Sequence, residues 1–96
     1  MRTVYAIQNQ NNGHWLYSSK GRCFTEYFDA ATLYDNPNNV KKIIKEINKS
    51  FDAKIASGMA VTWYADGVYY STGEDKDYVT APRPVLVVKD FILQPV

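Results

Sequence analysis

Ninety-six residues suffice for one domain, spanning 1–96, and are too few for two. Hydrophobic residues make up 46% and charged residues 22%, which suits a packed chain and excludes disorder. A formal net charge of +1 gives no drive toward nucleic acid or a membrane surface, and the single cysteine, Cys23, excludes an internal disulfide framework.

The first strand is expected at residues 3–9, which alternate weakly and are rich in strand formers. Residues 10–13 follow as a turn, in which Asn12-Gly13 suits the positive φ values of a tight hairpin. Residues 14–18 return, with Trp15 and Tyr17 on one face and His14 and Leu16 on the other. Residues 19–21 break the strand, and 22–25 read as a short third one. Residues 26–29 read as a turn or one helical turn. Residues 30–34 fit either extended chain or helix, with Tyr34 entering the core.

The long helix starts at Asn36. Its side-chain oxygen is placed to accept a first-turn N–H, and Pro37 occupies the position where a missing N–H costs nothing. Val40, Ile43, Ile44, Ile47 and Phe51 recur at steps of three and four, which gathers them on one stripe. Lys41, Lys42, Lys45 and Lys49 fall on the other side. The helix fades over 51–56, and Gly58 stops it.

Residues 59–64 form the next expected strand, Ala65-Asp66-Gly67 a hairpin turn and 68–72 the returning strand. Residues 73–84 read as a polar, mobile loop carrying Glu74, Asp75 and Asp77. The last strand, from Val85 to Leu93, opens with the apolar run Val85-Leu86-Val87-Val88, which suggests burial on both faces. Lys89-Asp90 interrupts it, as at a bulge, and Pro95 ends it. The expected fold is α+β: a curved antiparallel sheet of five to six strands packed on one helix, in the order β-β-β-α-β-β-β.

No catalytic or metal-binding constellation is evident. One His and one Cys do not make a zinc set, and the acidic loop lacks the glycine turn and distal glutamate of a calcium loop. His14 and Cys23 are the sole Cys–His combination, with no orienting group evident. The five glycines stand singly, without phosphate-loop spacing. No cofactor and no metal are expected, and the protein is read as not an enzyme.

Aromatic residues are abundant at 15%, and eight are tyrosines. Tyrosine pairs an apolar ring with a polar tip, which suits half-buried sheet faces and protein interfaces. Tyr64, Tyr69, Tyr70, Glu74, Asp75 and Asp77 are therefore the expected partner-binding residues, with the acidic loop imitating phosphates. Two alternatives stand beside this. The stripe of Lys41, Lys45 and Lys49, with Lys42 close by, is suited to a phosphate backbone. The apolar strand from Val85 to Leu93 is suited to pairing across a two-fold axis as a homodimer. The first residues lack a signal-peptide apolar region and no run approaches membrane-spanning length, so the expected address is the cytoplasm and no membrane partner is expected.

Val4-Tyr5-Ala6-Ile7, Gly13, Trp15-Leu16-Tyr17, Phe24-Thr25, Ala30-Ala31, Leu33-Tyr34 and the Lys- and Ile-rich helix follow one another over the first half of the chain. In this the first half resembles small accessory proteins of phages and prophages of low-GC Gram-positive bacteria. Some similar small phage proteins inhibit host defence enzymes, including CRISPR nucleases. The resemblance implies a non-enzymatic protein that binds and modulates a host or defence protein, and it implies no catalytic residue.

Overall fold

A computed structural model describes residues 2–18 and 22–93. The expected break at 19–21 and the stop at Pro95 lie outside them. The elements are β1 (Arg2–Asn9), β2 (Trp15–Leu16), β3 (Cys23–Thr25), a single 3-10 turn (Phe28–Ala30), α1 (Pro37–Ala56), β4 (Thr62–Ala65), β5 (Val68–Ser71), β6 (Val79–Thr80) and β7 (Leu86–Leu93). The class is α+β, with one α-helix against one sheet among the described residues.

The helix forms where its local signals place it. Asn36 is extended and its side chain accepts the Asn38 N–H at 2.9 Å, with Pro37 at the first position. Gly58, at φ +76°, lies just past the end. Val40, Ile47 and Phe51 are buried, and Ile43 and Ile44 pack half-buried beside them. They meet Ile7, Leu16, Phe24, Val61, Trp63 and Ala65, which are the inward residues of β1 to β4 and the approach to β4. Burying side chains of this size contributes roughly 1.5–3 kcal/mol each before entropy is counted. That makes this one contact the main source of stability.

The sheet departs from expectation in three ways. Among the described residues it has seven strands, in the order β6-β5-β4-β3-β2-β1-β7. It is mixed, because β3 pairs with β4 in parallel and so does β5 with β6. The hairpin rule that predicts antiparallel neighbours holds only across short turns. A chain that leaves β3 through a helix and returns beside it arrives in the same direction. The segment 73–84, read as a loop, contains β6. The third departure is the place of β7. The run Val85-Leu86-Val87-Val88 is not buried on both faces: Leu86 and Val87 are half-buried, and Val85 and Val88 are exposed. Among the described residues β7 is an edge strand that pairs only with β1, over eight consecutive positions from Arg2↔Leu93 to Asn9↔Leu86. Lys89-Asp90 makes no bulge, since the register runs through it unbroken.

The connection from β6 to the opposite edge is short and extended. Arg83 anchors it on the helix, ion-paired with Asp52, hydrogen-bonded to Asn48 and set 5.5 Å from the centre of the Phe51 ring. Asn9 fixes its end: the Asn9 side-chain oxygen accepts the Val85 N–H at 3.3 Å. The two hairpin turns differ. Asp66 (φ +48°) and Gly67 (φ +88°) are both left-handed, as the Asp-Gly signal predicts. In the first turn only Gly13 is, at φ +78°.

Candidate binding face

Strand alternation gives the sheet two faces. The helix covers one. On the other, the half near β7 closes on itself. Phe28, from the 3-10 turn, lies 5.0 Å from Trp15 and 4.6 Å from Phe91, ring centre to ring centre, and Trp15 is 5.8 Å from Phe91. These three rings sit on the side to which Val4 and Ala6 project, and both of those are buried although they point away from the helix. The turn thus serves as a small roof.

The half over β3, β4 and β5 has no such roof. Register sets a row across it: Cys23 opposite Tyr64, and Tyr64 opposite Tyr69. Tyr17 extends the row, its N–H donating to the Cys23 carbonyl at 3.1 Å. Tyr78 closes the far end. The Tyr64 and Tyr69 rings are 5.2 Å apart, and the Tyr69 and Tyr78 rings 5.9 Å. Tyr69 is 56% exposed and Tyr17 38%. Between Arg22, Cys23, Thr62, Tyr64, Tyr69 and Tyr78 lies an open depression of about 230 Å³. Arg22 forms no ion pair among the described residues. Burial, and next the neighbouring Cys23 thiol, push the Tyr17 hydroxyl above its ordinary pKa.

Asp66 holds this face in shape. Its carboxylate accepts the Thr25 hydroxyl at 2.9 Å and the Glu26 N–H at 2.8 Å. The β4–β5 turn is thereby tied to the end of β3. At the opposite end lies the acidic turn. Asp75 accepts the Asp77 N–H through its side chain at 3.0 Å and the Tyr78 N–H through its carbonyl at 3.1 Å. Glu74, Asp75 and Asp77 are all exposed, at the rim beside Tyr78.

The structure therefore brings together Tyr64, Tyr69 and the acidic turn, and it separates Tyr70 from them. Tyr70 is half-buried on the helix side, stacked on Trp63 with rings 5.7 Å apart and nearly parallel at 9°. Consecutive strand residues point to opposite faces, so Tyr69 and Tyr70 do not serve one surface. Tyr17, Arg22 and Tyr78 join the site unforeseen. Alternation already placed Tyr17 on the face of Trp15, but which face that is and its proximity to Tyr64 depend on the fold, the latter on the parallel β3–β4 pairing. His14 lies in the β1–β2 loop, with Nδ1 buried and no hydrogen-bond partner among the described residues. No cluster of three or more His, Cys, Asp or Glu side chains suited to a metal occurs among the described residues. On the helix, Lys41, Lys42, Lys45 and Lys49 are exposed, and Lys41, Lys45 and Lys49 border a shallow groove with Ile44 and Asn48. No helix among the described residues is long and apolar enough to cross a membrane.

No family model, curated protein or solved structure matches this chain.

Proposed function

We propose that this chain is a small, non-enzymatic binding protein that works by occupying a surface of a larger protein through the uncovered half of its sheet. The observation that carries the reading is the contrast within one face. Half of it is roofed by Phe28 over Trp15 and Phe91, while the other half leaves Tyr17 and Tyr69 exposed and Tyr64 and Tyr78 half-exposed in a row. Tyrosine offers large contact area with few torsions to freeze, and its hydroxyl finds partners at a wet rim. The depression of about 230 Å³ is smaller than the usual 300–1,000 Å³ of a cofactor or small-molecule site, and it suits one inserted side chain. The acidic turn beside it favours a partner with basic groups there, and imitation of phosphates is one way to use it. The resemblance of the first half to phage accessory proteins supports a host or defence protein of an infected cell as that partner, in the manner of an anti-CRISPR inhibitor.

The test is capture from the source cell with the tagged chain and with Tyr69→Ala in parallel. A partner held by the wild type and lost by the variant, at equal melting temperature, is the expected result. A partner held equally by both removes this face from the account. The alternative nucleic-acid reading is favoured by the lysine stripe, none of whose members is ion-paired among the described residues. It predicts a mobility shift at low salt that collapses steeply as salt rises.

A further inference from the structure

The two edges of the sheet are unlike. β6 ends it with two residues, too few to template another strand. β7 ends it with eight in unbroken register. The hydrogen-bonding phase of β7 follows from its neighbours. Gln10 N–H donates to the Val85 carbonyl at 2.8 Å, and Tyr5 spends its N–H and carbonyl on Tyr34 on the far side of β1. Bonding to β1 therefore falls on Val87, Lys89, Phe91 and Leu93. The N–H and C=O groups of Leu86, Val88, Asp90 and Ile92 point outward, to an edge that no described strand occupies. Exposed apolar side chains flank it: Val88, Ile92 at 60% and Leu93.

A second copy is a poor occupant. A two-fold axis between antiparallel strands pairs residues whose numbers sum to an even value, because paired side chains must share a face. Centring the overlap of the whole strand then sets Lys89 opposite its own counterpart, or Asp90 opposite its own, and like charges directly opposed are destabilising. Lys89 and Asp90 thus act as a guard against self-pairing. The same two charges select a different strand.

We propose that β7 accepts an extended segment of another protein as an added antiparallel strand. That segment is apolar at both ends, with a basic residue facing Asp90 and an acidic residue immediately after it facing Lys89. Main-chain bonds at positions 86, 88, 90 and 92 supply the attachment, and the central charge pairs fix register and direction. This surface is separate from the tyrosine face, and the inference does not rest on it.

The experiment uses the full isotope-labelled chain and the blocked peptide VTVKEVTV, with amide hydrogen exchange and chemical shifts as readouts. In the free chain the amides of Val88, Asp90 and Ile92 exchange fast while those of Val87, Lys89 and Phe91 are protected. Adding the peptide is expected to protect the first three. The charge-swapped peptide VTVEKVTV is expected to bind roughly five-fold or more weakly. The double variant Lys89→Glu with Asp90→Lys is expected to reverse that preference. N-methylation of the peptide lysine, whose N–H enters the ladder, is expected to abolish binding, whereas N-methylation of the adjacent glutamate is tolerated. Equal binding of the two peptides, shifts confined to the tyrosine face, or no binding overturns the proposal. So does concentration-dependent protection of the same amides without peptide, which would give the edge to a second copy.

Discussion

Tyr34 stands just ahead of the helix cap, bridged to Tyr5 by two backbone hydrogen bonds of 2.8 Å, with its ring against the core. Its hydroxyl is buried and has no hydrogen-bond partner among the described residues. A buried donor left unpaired costs about 1–3 kcal/mol relative to its hydrated state in the unfolded chain. Tyr34→Phe keeps the ring and the bridge and removes only that oxygen. The variant is therefore expected to be more stable by about 1 kcal/mol, taking the low end because a small cavity replaces the oxygen. For a chain of this size that corresponds to a rise in Tm of about 4–8 °C. The effect has a pH signature. Burial raises the Tyr34 pKa above its ordinary value of 10. A raised folded-state pKa means that the folded state holds the proton more tightly. Its contribution is fully present below pH 10 and is lost as pH climbs through the folded value. Wild type should lose stability over that range by a step that the Phe variant lacks, so the gap between them widens. Tyr17 and Tyr27 are raised as well, by burial and by a hydrogen bond with Glu26 respectively, but they are common to both proteins and cancel in the difference. Urea unfolding of both proteins at pH 7 and above pH 10 measures this. A Phe variant less stable than wild type at pH 7 would refute the reasoning, because the hydroxyl would then be making a bond worth more than its burial.

Three further outcomes are expected. Replacing Glu74, Asp75 and Asp77 by Ala should weaken partner binding while leaving the melting temperature nearly unchanged, since all three are exposed; unchanged affinity would remove the acidic turn from the interface. Asn36→Ala should cost about 1 kcal/mol by denaturant unfolding, through loss of the bond to the Asn38 N–H, and Asn36→Ser should recover most of it. Asp66→Ala removes both acceptors that tie the β4–β5 turn to β3 and leaves a residue other than Gly, Asn or Asp at φ +48°. A loss of about 2 kcal/mol is expected, with weakened partner binding at temperatures where the variant remains folded.

The elements held together by near neighbours were legible before any coordinates. Asn36, Pro37 and the Val40–Ile47–Phe51 stripe define the helix within one stretch of chain, and Asp66-Gly67 defines its hairpin within two residues. That Tyr17 shares the face of Trp15 and that Tyr69 opposes Tyr70 were equally legible from alternation, and grouping Tyr70 with Tyr64 and Tyr69 came from reading a cluster where the period is two. The apolar run at Val85 misled for another reason. β-branched residues favour extended chain wherever in a sheet it lies, so composition does not tell an edge from a centre.

What the sequence by itself determined, then, is the long helix with its apolar stripe, the two hairpins and the alternation along their strands, because those properties arise from contacts a few residues apart. The tertiary structure alone decided that β3 lies beside β4, that Phe28 roofs one half of a face and leaves the other to four tyrosines, and that β7 ends the sheet. Each of these depends on where a long connection sets the chain down again. That position is fixed by the burial of whole faces against one another rather than by any local preference.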